Sequence, residues 1–279
     1  MKTLLVPTDF SIHSENALRA AASIAKKQQA ELLIVHMAGI KDSILTKEES
    51  SNALESIFYM KLTEKRFAEY LDKPYLEGIT VREVIKKYKN FSELNDVVAE
   101  NNVDLVVMSS HGSSGIEEML VGSNTEKVVR SAKIPVLIIK QFTSDFKMET
   151  GVYVSNFSEE TIDAYHKAKT FFESFGSKMK LLYVNTPGPS FKRTTEIDKL
   201  LFEFFEAANE SQLATKVKEV TVVSDYTVED GVFAYSQLIN ADLITIPTHG
   251  RQGIAHFFRG SISEDVANHA TVPVLTIRI

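Results

Sequence analysis

The sequence predicts an α/β protein in which one unit is used twice, each unit a parallel sheet with helices on both faces. Three observations carry this. Short apolar runs alternate with helical patterns five times before residue 140, and the order then restarts. The runs are continuous rather than alternating, as expected of parallel strands covered on both sides. The stretch from Asp104 to Lys127, DLVVMSSHGSSGIEEMLVGSNTEK, also returns at Asp242 to Asp265 as DLITIPTHGRQGIAHFFRGSISED. There His249-Gly250 and Gly260-Ser261 each stand 138 positions after His111-Gly112 and Gly122-Ser123. Two copies of about 140 residues make a duplication rather than a solenoid, whose repeats run to roughly 20–50 residues.

In chain order, Leu4 to Val6 is a short first strand ending in Pro7-Thr8-Asp9-Phe10-Ser11. Ser11 is a good N-cap, and Leu18, Ala21, Ala22, Ile24 and Ala25 recur at helical spacing up to Lys27. Leu32 to Met37 is the second strand. A long helical pattern follows from about Ile44 to Asp72, with Leu54, Ile57, Phe58 and Leu62 on its apolar face and Pro74 ending it. Ile79 to Val84 is the third strand, and Leu94, Val97 and Val98 mark a short helix. Leu105 to Met108 is the fourth strand, Glu126 to Ala132 a helix, and Ile134 to Ile139 the fifth strand.

The polar segment Gln141 to Thr150 reads as a linker, which divides the chain into residues 1–141 and 150–279. Val152 to Ser158 then echoes Val6 to Ser11, with Asn156 standing 147 positions after Asp9. Glu159 to Phe175 and Ile197 to Ala208 read as helices. Leu181 to Val184, Val217 to Val223, Leu243 to Ile246 and Val272 to Ile277 read as strands. The offset falls from 147 to 138, so the second copy is nine residues shorter between those points, most simply in its second-helix region.

Composition narrows the function. A chain of 279 residues with 44% hydrophobic and 24% charged residues suits two soluble globular units. The net charge of −6 disfavours nonspecific binding to nucleic acid or to an anionic membrane surface. With no cysteine there are no disulfides, thiolate metal sites or thiol catalysis. No apolar run approaches the ~18 residues of a membrane span. The first residues lack the apolar core of a signal peptide, so the expected location is the cytoplasm.

The repeated stretch reads as strand, turn, loop, helix. A helix start offers free backbone N–H groups and the positive end of the dipole, which suits an anion. Gly112 and Gly122 allow a close backbone approach. Ser123-x-x-Glu126 and Ser261-x-x-Glu264 also read as capping boxes, which need no ligand.

The first strand ending in Val6-Pro7-Thr8-Asp9-Phe10-Ser11 comes with Ser-His-Gly, nine residues, Gly-Ser, and a closing Ile-Pro-Val-Leu strand. Together these resemble the universal stress protein family, as two domains in one chain. The resemblance implies that each domain is a doubly wound five-stranded parallel sheet, in the order 3-2-1-4-5, with helices on both faces. Strands 1 and 4 are then neighbours at the topological switch point, where open α/β sheets bind ligands. It also implies pairing of the two halves through strand 5, the edge used for dimerisation in the family, and leaves a homodimer open.

ATP-binding members of the family carry G-x2-G-x9-G-[ST] after strand 4. Here the leading glycine is Ser109 in the first half and Pro247 in the second. The resemblance implies an ATP or AMP site in the first half made by Pro7, Thr8, Asp9, Met37, Met108, Ser109, His111, Gly112, Gly122, Ser123, Asn124 and Thr125. The corresponding second set is Asn156, Gly250, Gly260 and Ser261, with Arg251 and Arg259 in its loop. Whether Mg2+ accompanies the nucleotide is left open. His111 and His249 lack metal-ligand partners at any usual spacing. No Walker A, HxGH or nucleophile-elbow motif is present, so no catalytic residue is assigned. Two functions stand at this point: a nucleotide-binding stress protein acting as sensor or regulator, and a non-binding member acting through protein–protein contact.

Overall fold

A computed structural model of the chain describes residues 1–39, 49–88, 93–110, 123–140, 146–248, 270 and 272–279. In the first half the strands are β1 (Thr3–Thr8), β2 (Glu31–Gly39), β3 (Val81–Tyr88), β4 (Leu105–Ser109) and β5 (Val136–Ile139). Between them lie α1 (Ile12–Gln28), α2 (Glu49–Leu71), α3 (Leu94–Glu100) and α4 (Ser123–Ser131). The second half has β6 (Thr150–Val154), β7 (Lys178–Asn185), β8 (Val220–Ser224), β9 (Leu243–Thr248) and β10 (Val274–Arg278). Its described helices are α5 (Ile162–Phe175), α6 (Thr194–Ala207), α7 (Leu213–Glu219) and α8 (Val228–Leu238).

All ten strands join one sheet in the order β3-β2-β1-β4-β5-β10-β9-β6-β7-β8. Within each half every pair is parallel, as the continuous apolar runs predict, and the order is 3-2-1-4-5, as the resemblance implies. At the seam β5 and β10 are antiparallel, registered Val274↔Ile138, Leu275↔Leu137 and Thr276↔Val136. The strands of the two halves therefore run in opposite directions. The C-terminal ends of the first set lie on one edge of the sheet, and those of the second set on the other.

The two faces of the sheet are packed differently. On one face a single apolar core runs through both halves, joining Leu4, Leu105 and Leu137 to Tyr153, Leu275 and Ile277. Helices α1 and α5 meet over it, and the Gln28 amide donates to the Ser174 carbonyl (2.8 Å). On the other face there are two separate clusters. One lies under α3 and α4, with Met37, Val106 and Met108, and the other under α8, with Val154, Val184 and Ile246. Met148, in the segment read as a linker, is buried in the shared core, so this end of the connection is packed rather than a free tether.

Each first strand is clamped at its start in the same way. The Asp104 carboxylate accepts from the Lys2 and Thr3 amides (2.5 and 3.0 Å). Asp242, its partner 138 positions on, accepts from those of Glu149 and Thr150 (3.0 Å each).

Several local expectations are corrected. Of the apolar face read on α2, the side chains of Leu54 and Ile57 lie outside the described residues, and the other two are not buried. Phe58 is 70% exposed and Leu62 39%, while Thr63, Phe67 and Tyr70 face the core. The C-terminal half of the helix packs on the core through these residues, and periodicity alone cannot say which stripe meets a partner. Residues 217–219, read as the start of a strand, belong to α7 instead, and the strand begins only at Val220. The sequence reading also passed over α8, whose apolar positions are broken by Gly231. That glycine is a packing requirement, since an added Cβ would stand 2.7 Å from the Val184 side chain. The outer strands β3 and β8 are partly exposed rather than continuously buried, because each has a neighbour on one side only.

Candidate functional site

At the C-terminal end of β1 the chain must leave the sheet and start a helix, and short side chains manage the turn. The Phe10 amide donates to Thr8 Oγ1 (2.9 Å), and Thr8 Oγ1 shares a hydrogen bond with Ser14 Oγ (3.1 Å). Asp9 Oδ1 accepts from the Ser11 amide and hydroxyl (3.1 and 2.6 Å). Ser11 Oγ in turn caps α1 by accepting from the Ser14 amide (3.2 Å). Asp9 itself is exposed. Its carboxylate is therefore both a turn-former and oriented outward at the switch point.

The turn puts Phe10 at φ 63°, a left-handed conformation that a bulky side chain rarely adopts. What holds it is packing. The Phe10 ring lies 4.6 Å from His36 and edge-on to Phe67 and Tyr70 (5.1 and 5.5 Å). His36 Nδ1 lies 2.8 Å from the Thr8 carbonyl, so this nitrogen carries the proton and donates. Burial pushes the Tyr70 phenol up to about 12, so it stays protonated and donates to Ser14 Oγ (3.2 Å).

The second half repeats the device with different chemistry. The Phe157 amide donates to Ser155 Oγ (2.9 Å), and Asn156 Oδ1 accepts from the Ser158 amide and hydroxyl (3.0 and 2.9 Å). Phe157 also has positive φ (53°), with its ring against Phe204 and Phe205 (5.2 and 6.1 Å). Asn156 thus holds the position of Asp9 with the same geometry and no charge. Tyr183 stands where the first half has His36, 147 positions on.

Next to β1, β4 is registered Leu4↔Leu105 and Leu5↔Val106. At its end the Ser109 carbonyl accepts from Thr125 Oγ1 (2.8 Å), a buried side chain in the first turn of α4. This bond ties the start of α4, with Ser123 and Asn124, to the strand end beside Thr8 and Asp9. The Ser110 amide donates to the Ile139 carbonyl (3.1 Å). At the same edge Lys140 follows β5, and burial pushes its ammonium down to about 8.

The residues expected to form the first site are thus partly brought together. Thr8, Asp9, Ser109 and Thr125 converge on adjacent strand ends. Pro7 lies half-buried in β1, opposite Val35 of β2. Met37 and Met108 turn their side chains into the core under α3 and α4, leaving only their backbone for a ligand. His111, Gly112, Gly122, Gly250, Gly260 and Ser261, with Arg251 and Arg259, lie outside the described residues. Among the described residues no three His, Asp or Glu side chains cluster as metal ligands, and no helix is long and apolar enough to cross a membrane.

A cavity of about 310 Å3 opens at the C-terminal ends of β6, β7 and β9. Several of its lining residues, among them Tyr183, Thr186, Ser190 and Val228, were missed by the sequence reading. The 147-residue offset that relates Asn156 to Asp9 also relates Tyr183 to His36, and could have found it.

A family model described as the universal stress protein family matches residues 1–140 and again 151–278. A universal stress protein of Mycolicibacterium smegmatis is 26% identical over 301 residues, covering 99% of this chain and 96% of its own. Universal stress protein YxiE of Bacillus subtilis is 32% identical over 152 residues, 49% of this chain and 97% of its own. The crystal structure of a universal stress protein from Archaeoglobus fulgidus matches with a TM-score of 0.64 at 21% identity, covering 99% of this chain and 96% of that one. At that identity the likeness speaks to the fold alone.

Proposed function

The chain belongs to the universal stress protein family, and from that premise we propose that its first half binds an adenine nucleotide, ATP or AMP, as a sensor or regulator rather than an enzyme. One observation carries the reading. The Thr125–Ser109 bond holds the start of α4 against the end of β4, beside the outward carboxylate of Asp9. A helix start presents unpaired N–H groups to an anion, and a carboxylate accepts from sugar hydroxyls. The two ends of a nucleotide thus have matching partners at the switch point between β1 and β4. Gly112, Gly122 and Ser123 fit the phosphate part by their place in the motif.

Purified protein, denatured and analysed by mass spectrometry, is expected to release ATP or AMP. Asp9→Ala and Gly122→Val should each lower the occupancy at least tenfold, the valine because it fills a close-approach position. Unchanged occupancy in both variants would remove the first half as the site. Absence of any nucleotide, with no uptake of added ATP, would favour the second reading, a protein-interaction module. Tyr226 and Leu238, 87% and 78% exposed, are what that reading has in its favour.

The seam bears on assembly. With β5 and β10 paired inside one chain, both strand-5 edges are already satisfied. We expect a monomer, so light scattering should give a mass near 31.2 kDa. Twice that value would mean that another surface makes a dimer.

A further inference from the structure

We propose that the first half carries a further site, at the N-terminal ends of its strands, for a small doubly charged anion, a phosphate monoester or a dicarboxylate. The inference does not rest on the nucleotide reading, which concerns the opposite, C-terminal ends of the same strands. Its basis is a groove of about 760 Å3, within the roughly 300–1,000 Å3 of small-molecule pockets. The floor is the start of β1 and β2. One wall is the last turn of α1, and the other is the Gly78-Ile79-Thr80 turn that leads into β3.

Hydrogen-bond donors dominate this groove. Lys2 and Lys26 each bring an ammonium, Gln29 an amide and Thr80 a hydroxyl, and all four residues are exposed. Among the described residues neither ammonium meets a carboxylate. The acid among the described lining residues, Glu31, is already engaged. Arg82 donates to both of its oxygens (2.6 and 3.3 Å), and Thr3 Oγ1 donates to one of them (3.1 Å). The Arg82 guanidinium holds this carboxyl below the usual carboxylate range. The Glu31–Arg82 pair cancels, so the charges of Lys2 and Lys26 are left over. Cations on the floor and on one wall suit a ligand that accepts from both through charge-assisted bonds. Ala25 and Ile79 add apolar surface for a short carbon chain.

The frame is also built in advance. Gln29 ends α1 in the left-handed conformation (φ 53°), and its amide and that of Ala30 both donate to the Ala25 carbonyl. Gly78 turns the chain at φ 79°, and the Leu32 amide donates to the Thr80 carbonyl (2.9 Å), which fixes that wall beside β2. A Cβ on Gly78 would meet nothing within 4 Å, so the space over the turn is open. A frame already ordered loses less entropy on binding.

Lys26 also suits the negative end of α1, and the test separates the two roles. The 15N-labelled full chain is titrated at constant ionic strength with glycerol phosphate, with succinate, and with glycerol as the neutral control. Saturable shifts of the Gln29, Gly78, Ile79 and Thr80 amides are expected with at least one dianion and none with glycerol. The tighter of the two dianions tells a phosphate ester from a dicarboxylate. Lys2→Met and Lys26→Met should each weaken binding at least tenfold, and Thr80→Trp should block it, while thermal melts stay cooperative. A Lys26→Met variant with lower Tm and unchanged affinity would overturn the proposal, leaving the lysine a helix-end charge. So would shifts that never saturate, an equal response to glycerol, or binding that survives in both lysine variants.

Discussion

Leu275→Asp is expected to abolish cooperative folding of the whole chain, not of the second half alone. Leu275 has no exposed surface and sits at the seam, registered against Leu137 of β5 on one side and Thr245 of β9 on the other. Its side chain belongs to the core that also holds Leu4, Val6 and Leu105 of the first half. An unpaired carboxylate placed there costs several kcal/mol in desolvation, besides the lost leucine packing. Domains are stable by only about 5–15 kcal/mol in total, so the margin is consumed. Circular dichroism melts should lose their sigmoidal transition, and near-ultraviolet signals should fade. Tyr226→Asp, at a position 87% exposed, is the control and should change stability by no more than about 0.5 kcal/mol. If Leu275→Asp melted cooperatively within a few degrees of the parent, the shared core would not be what holds the halves together.

The second large effect is at Phe67. Its side chain is fully buried and meets Phe10 edge-on at 5.1 Å and His36 at 6.5 Å. Phe67→Ala should cost about 3–5 kcal/mol, the usual range for a truncated core phenylalanine, and lower Tm on the order of 10 °C. It should also lower nucleotide occupancy in the surviving folded protein. The Phe10 ring keeps its backbone at positive φ by packing, and that turn aims Asp9. Phe67→Leu, which keeps most of the volume, should recover most of both losses. A stability loss below about 1 kcal/mol, or full occupancy in Phe67→Ala, would show that α2 does not support the turn.

How much of this was legible beforehand differs between elements. β1, β4, β5 and β10 were read within about two residues of their bounds, since each is a continuous apolar run closed by a turn or preceded by proline. The duplication was legible because His111-Gly112 and Gly122-Ser123 recur at one fixed offset. The buried stripe of α2 was not, because an amphipathic pattern shows which residues are apolar but not which of them find a partner. Nor was α7, whose Val217 and Lys218 read equally well as the start of a strand. At the site, Asp9 and Thr125 were named from the motif. The parts played by Ser14, His36 and Phe67 came from residues too far apart in sequence for spacing to relate them.

While the strand order within each half was implied by the family resemblance, the order of side chains along the chain determined the fold class, the duplication and the position of the turn after each first strand. Those features arise from local propensity and from burial patterns that repeat within a few residues. Tertiary structure decided the rest: one shared core on one face of the sheet and two separate clusters on the other, strand C-terminal ends of the two halves at opposite ends of the sheet, and a cavity at the ends of β6, β7 and β9. These depend on the antiparallel meeting of β5 and β10 and on helices packing over that seam. Contacts between segments more than a hundred residues apart leave no periodicity in the sequence.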